Sequence, residues 1–303
     1  MERMYQADRI SRSAFVPIRN LNYHVRLWGK PAPDRVPLVL VHGWMDVAAS
    51  YQFVVDAFAQ DHYIIAPDWR GYGQTEAPGA DNFWFADYLA DLDFLLDHFA
   101  PQGPVNLVGH SLGGNVAMVY AGVRPERIRR LINLEGFGLP ASRPEQAPQR
   151  YAQWMDALKQ LHSGALDLNA YDSLAGVARR LKKTNPRLGQ DKADWLAQHW
   201  ARQNAQGQWE IMGHPAHKIV SAHLYQLEEA LALYRCLSMP VLAVEAANNS
   251  LETFWNGRYT LAEYHQRLQS IPQVEIATIP DAGHMLHHDQ PALLAGLIER
   301  FIA

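Results

Sequence analysis

Short apolar runs alternate with stretches of helical spacing along most of this chain. Leu38-Val39-Leu40-Val41 is a continuous apolar run of buried-strand length, and Tyr63-Ile64-Ile65-Ala66 is another, stopped by Pro67-Asp68. Helical spacing follows, with Phe85, Tyr88, Leu89, Leu92, Leu95, Leu96 and Phe99 on one face. Asp87, Asp91 and Asp93 fall off that stripe and are expected on a solvated surface, not around a metal. Val105-Asn106-Leu107-Val108 reads as the next strand, Val116–Ala121 as the helix behind it and Leu131-Ile132-Asn133-Leu134 as a further strand. Strand character returns at Val241–Val244 and Val274–Ala277, and Leu293–Ile298 closes the chain as a helix. The alternation predicts an α/β fold with a mostly parallel sheet covered by helices on both faces.

Between Phe137 and Leu237 the pattern changes to Pro-rich punctuation and helical segments dense in Trp, His and Arg. The simplest organisation is one core, residues 1–136 and 238–303, with a helical cap at 137–237 inserted after the sixth strand. Trp154, Trp195, Trp200 and Trp209 read equally well as pocket walls or as the insertion's own small core.

Composition narrows the function classes. The chain has 303 residues, 48% hydrophobic and 19% charged, with a formal net charge of −4. That is ample material for a packed core, and it gives no basic footprint for nucleic acid or an anionic membrane. The single cysteine, Cys236, forms no intrachain disulfide and is expected as a small buried apolar residue. Met1–Asp8 lacks the apolar run of a signal peptide, and no apolar stretch is long enough to span a bilayer, so a cytoplasmic location is expected.

Gly109-His110-Ser111-Leu112-Gly113 carries the chemistry. A lone Gly-x-Ser-x-Gly is weak, but this one lies between a strand and a helix, where a sharp turn lifts the Ser hydroxyl clear of the sheet. Such a hydroxyl needs a neighbouring base to take its proton. Among 14 histidines, His284 in Pro280-Asp281-Ala282-Gly283-His284 follows the last strand, where a loop carries the imidazole over the strand ends. His287 and His288 are expected as supporting or surface groups. The oxyanion of acyl transfer needs preorganised donors: the Leu112 amide, and the Trp44 amide in His42-Gly43-Trp44-Met45. His42 itself is expected to be structural.

Together with Asp68-Trp69-Arg70-Gly71-Tyr72-Gly73 and Gly114, these stretches occur in the order of the α/β-hydrolase fold, which the chain resembles over nearly its whole length. His42–Asp46 and Thr184-Asn185-Pro186-Arg187-Leu188 are more loosely similar to its serine hydrolase-like, esterase-type members. The resemblance implies a Ser-His-acid triad, a structural turn at Asp68 and Arg70, and a cap over the pocket. The chain departs from the pattern at the acid. The family usually places an Asp after the strand equivalent to Val241–Val244, and this sequence reads Glu245-Ala246-Ala247-Asn248-Asn249-Ser250 there. Some members supply the acid from the neighbouring strand, where Glu135 stands, one methylene longer than Asp. Glu135 is the leading candidate, with Glu245 and a neutral Asn248 or Asn249 as alternatives; Asp46 reads as a local cap.

The expected activity is hydrolysis of a carboxylic ester through an acyl-enzyme, with an apolar acyl or aromatic substrate. A thioester, an amide or a carbon–carbon bond would use the same triad. A hydrolase-fold protein that binds without turnover is the competing class. A carboxylate-nucleophile reaction is disfavoured by Ser at position 111. Neither His287-His288 nor His214-Pro215-Ala216-His217 has recognisable zinc spacing, and no phosphate loop or dinucleotide fingerprint occurs, so no metal or organic cofactor is expected.

Overall fold

In the computed structural model, which describes residues 5–33 and 35–303, the chain begins with an antiparallel hairpin of β1 (Arg12–Ile18) and β2 (Leu21–Trp28). Alternating elements follow: β3 (Leu38–Val41), α1 (Gln52–Ala57), β4 (Ile64–Pro67), α2 (Phe85–Phe99), β5 (Val105–His110), α3 (Leu112–Val123) and β6 (Ile128–Leu134). The segment between sheet strands then holds α4 (Ala147–His162), β7 (Ala170–Tyr171), α5 (Leu174–Thr184), α6 (Gln190–Trp200), β8 (Ala201–Gln203), β9 (Trp209–Ile211) and α7 (Leu227–Arg235). The chain finishes with β10 (Val241–Ala246), α8 (Leu251–Phe254), α9 (Leu261–Leu268), β11 (Val274–Ile279), α10 (Leu286–Asp289) and α11 (Pro291–Ile302).

Eight strands form one sheet in the order β1-β2-β4-β3-β5-β6-β10-β11. Only the pairings made by β2 are antiparallel. Successive side chains of each central strand enter opposite layers, as strand pleating dictates. Val39, Val41, Leu107, Leu131, Val241 and Ala243 face one core, with Val116, Met118 and Tyr120 of α3. Leu38, Leu40, Val108, Ile132, Leu242 and Val244 face the other, with Val54 and Val55 of α1 and Leu294 and Ile298 of α11. The central parallel strands are therefore the near-continuous apolar runs visible in the sequence.

The hairpin escaped the sequence reading because β1 alternates exposed and buried positions and carries Pro17, so it lacks such a run. The insertion also contains a small antiparallel sheet, β7-β9-β8, whose strands are two or three residues long and too short to leave a pattern. Three of the four insertion tryptophans belong to a local core: Trp200 is buried in it, and Trp195 and Trp209 pack against it. That core also takes Val47, Ala49 and Phe53, so α5 and α6 sit on the segment that follows β3. No helix among the described residues is long and apolar enough to cross a membrane.

Two expectations fail. Cys236 is exposed, because it caps the C-terminus of α7 rather than facing its buried side. Asp91 is fully buried, although Asp87 and Asp93 lie toward solvent. It accepts from Arg70 Nε at 2.6 Å, Arg70 Nη2 at 2.7 Å and Tyr23 Oη at 2.6 Å. A charge between Tyr88 and Leu92 on the inward face of α2 is tolerable only with such partners.

Candidate active site

The candidate residues converge at the carboxyl ends of the central parallel strands, where ligands bind in open α/β sheets. Ser111 follows β5 with φ 52° and ψ −113°, a conformation that L-residues rarely adopt. Both flanking glycines are steric necessities. A Cβ on Gly109 would stand 2.3 Å from the Gly113 carbonyl oxygen, and one on Gly113 would stand 2.3 Å from that of Val41. The turn is therefore packed backbone against backbone, and the strain of about 1–3 kcal/mol at Ser111 is held by its surroundings. Met45 and Glu135, in neighbouring loops, also have positive φ, 53° and 55°.

β6 pairs beside β5, so the residue after it lies one strand away from Ser111. That residue is Glu135, whose side chain is wholly buried. Its Oε1 accepts from the Ala246 amide at 2.6 Å, and its Oε2 accepts from His284 Nδ1 at 3.2 Å. His284 Nε2 lies 3.0 Å from Ser111 Oγ. With the Nδ1 proton committed to Glu135, Nε2 is the basic nitrogen, and it faces the hydroxyl. Burial pushes the Glu135 carboxyl above its ordinary range, while the bonds from His284 and Ala246 pull it back.

Of the alternatives for the acid, Glu245 and Asn249 have side chains engaged elsewhere. Glu245 Oε2 meets His265 Nε2 at 2.9 Å, and its Oε1 accepts from the Thr278 hydroxyl at 3.5 Å. Asn248 donates its main-chain amide to the Ala282 carbonyl. Asn249 donates its side-chain amide to the Ala246 carbonyl and accepts from the Leu251 amide, closing the loop into α8.

Leu112 is the first residue of α3, so its amide has no acceptor within the helix and points out of its N-terminus. The Trp44 amide follows Gly43, where a Cβ would stand 3.1 Å from that of Ser111. The Trp44 ring is 55% exposed, and its Nε1 donates to the His217 carbonyl of the insertion. His42 is structural: Nε2 accepts from the Trp69 amide at 2.9 Å and Nδ1 donates to the Gly43 carbonyl at 2.8 Å. Asp68 is a buried brace, accepting from the amides of Ala48 and Gln74 and pairing with His24.

Two features were missed in the sequence, the contacts of Asp289 and a buried polar cluster. Asp289 accepts from the Gly283 amide at 2.8 Å and from Asn185 Nδ2 at 2.7 Å, joining the insertion to the loop that carries His284. Of the two places expected for His287 and His288, supporting or surface, both residues take the buried one. Asp46, His110 and His287 each place a nitrogen or oxygen within 4.8 Å of those of the other two. The only legible signal for this cluster was the proximity of each residue to a candidate site residue. A concavity of about 530 Å³, lined by Arg130, Val241, Val274 and Arg300, lies at the opposite ends of the strands and shares nothing with these groups.

Comparison with known proteins agrees with this architecture. Residues 36–291 match the family model described as alpha/beta hydrolase fold. A serine hydrolase-like protein of Danio rerio is 26% identical over 59% of this chain, and the match spans only 54% of that protein. A 3-hydroxybutyrate-oligomer hydrolase of Cupriavidus necator is 26% identical over 92% of this chain and 91% of its own. Among solved structures, the thioesterase domain from the curacin biosynthetic pathway superposes with a TM-score of 0.82 at 22% identity, covering 96% of this chain and 99% of that one.

Proposed function

The chain belongs to the α/β-hydrolase fold family, and on that premise we propose that it is a serine hydrolase cleaving a carboxylic ester through an acyl-enzyme. The observation that carries this reading is His284, which bridges Ser111 at 3.0 Å and Glu135 at 3.2 Å. In the acylation step His284 Nε2 takes the Ser111 proton as Oγ attacks the ester carbonyl carbon. The amides of Leu112 and Trp44 receive the oxyanion, each contributing on the order of 3 kcal/mol to the transition state. The imidazolium formed is held by the Glu135 carboxylate, and its Nε2 proton passes to the departing alkoxide. Water, deprotonated by the same nitrogen, then attacks the acyl-Ser111 carbonyl and releases the acid.

Support for an ester comes from the full-length likeness to the 3-hydroxybutyrate-oligomer hydrolase. The exposed Trp44 ring beside the oxyanion amides suits an apolar acyl or aromatic group. Thioesters, amides and carbon–carbon bonds would be broken by the same atoms, so the bond type is an assay outcome. The test is turnover of p-nitrophenyl esters graded by acyl length, beside a thioester and an anilide, with wild type and Ser111→Ala. The reading expects ester turnover that Ser111→Ala abolishes. Equal rates in the two proteins would defeat it.

A further inference from the structure

Behind Ser111 and His284 lies a second chain of polar groups that the acyl-transfer steps leave unused. His110, the last residue of β5, directs Nε2 at the main-chain carbonyl of His284, 2.8 Å away. A carbonyl only accepts, so Nε2 carries the proton. Burial, with His287 and His284 nearby, pushes His110 well below its ordinary pKa, which leaves Nδ1 as a bare lone pair.

The His287 ring packs on that of His110, with centroids 4.4 Å apart. Asp46 Oδ2 stands 3.7 Å from His287 Nε2, and its other oxygen accepts from the Ser50 hydroxyl. All three residues are buried, and each adjoins a different segment of the candidate site. Asp46 lies two residues after Trp44, His110 directly before Ser111, and His287 three after His284. The cluster thus joins the oxyanion loop, the nucleophile turn and the base loop at one point. Strand β5 is paired on both sides, by β3 and β6, so His110 gives the base loop a fixed reference.

Resting on the serine-hydrolase reading, we propose that His110 is a positioning residue: its Nε2–H holds the His284 main chain so that the imidazole meets Ser111 Oγ, and Asp46 and His287 hold the His110 ring for that bond. Small displacements matter here, because a misplacement of about 1 Å in reacting groups costs about 100-fold in rate.

The test compares His110→Asn with His110→Gln. The Gln amide reaches the place of Nε2 and can still donate to the His284 carbonyl, whereas the Asn amide reaches only the place of Nδ1. Turnover of p-nitrophenyl acetate is measured in EDTA, so that no metal ion on Asp46, His110 and His287 contributes. His110→Asn is expected to lose about 10- to 100-fold in kcat with KM unchanged, and His110→Gln to recover most of it. A kcat for His110→Asn within about threefold of wild type overturns the proposal. So does equal loss in both variants. Where His110→Asn does not fold, His110→Leu takes its place beside His110→Gln. Wild type without Ser111-dependent turnover defeats the hydrolase reading instead. The His284 ring resonance, read by NMR with labelled histidine, then decides: a shift in His110→Asn that His110→Gln restores upholds the positioning, and an unmoved resonance overturns it.

Discussion

Glu135→Gln tests how Ser111 is activated, and its effect follows from two hydrogen bonds. The side chain is isosteric, so the fold around it needs no rearrangement. The Ala246 amide donates to Oε1 at 2.6 Å and still requires an acceptor, which fixes the Gln oxygen there. The Gln nitrogen is then left facing His284 Nδ1, the atom that now meets Oε2 at 3.2 Å. Two N–H groups cannot share one bond, so the imidazole moves its proton to Nε2. That nitrogen faces Ser111 Oγ at 3.0 Å and becomes a donor, unable to take the serine proton. The imidazolium of the transition state also loses its counter-charge. In the serine-protease template the equivalent carboxylate-to-amide change lowers turnover by about 10⁴, or about 5 kcal/mol at the transition state. A loss of about 10³- to 10⁴-fold in kcat with KM little changed is therefore expected for ester hydrolysis. Thermal unfolding is expected to be unchanged or later than in wild type, because burial already disfavours the Glu135 carboxylate. Retention of more than about a tenth of kcat would refute the assignment of Glu135 as the acid.

Three further predictions concern the scaffold. Asp91→Ala strips the buried partner from Arg70 and Tyr23 and should destabilise the protein by about 3–5 kcal/mol in urea titration; a change below about 1 kcal/mol would contradict the structural role given to that pair. Gly113→Ala places a methyl 2.3 Å from the Val41 carbonyl oxygen, so a lowered Tm or insoluble protein is expected, and a Tm equal to wild type would contradict the packing at the turn. His217 is stacked between Tyr72 and Phe83, and burial lowers its pKa from 6.5 to about 3. The unfolded ring therefore binds a proton that the folded ring refuses as pH falls from 6.5 toward 3, and stability should drop by about 1.4 kcal/mol per pH unit on its account. His217→Phe should flatten that acid limb in denaturant titrations, and an unaltered slope would count against it.

The core strands were legible because a sheet covered on both faces demands unbroken apolar runs, which Leu38–Val41 and Val241–Val244 supply. β1 alternates exposed and buried positions, the buried β2 interleaves His24 and Arg26 with its apolar residues, and the three short strands of the insertion hold too few residues for any period to emerge. Ser111 and His284 could be located because each follows a recognisable strand. The candidate acid was harder to single out. Glu135 and Glu245 each stand at a strand end, and only the side-chain directions separate them, one toward His284 and the other toward His265. The buried Asp91 shows the limit of hydrophobic periodicity, since its place on α2 is set by Arg70 and Tyr23, which are distant in sequence. The meeting of Asp46, His110 and His287 depends in the same way on three loops whose proximity only the assembled sheet creates.

The proposal that Ser111 is an activated nucleophile is tested most directly by trapping it. The protein is incubated with a fluorophosphonate, digested, and the peptide that contains Ser111 is weighed by mass spectrometry. One phosphonyl group on Ser111 is expected, with no adduct in Ser111→Ala and labelling slowed by orders of magnitude in Glu135→Gln. An unmodified Ser111 peptide in folded wild-type protein, or an adduct on another residue that survives Ser111→Ala, would contradict it.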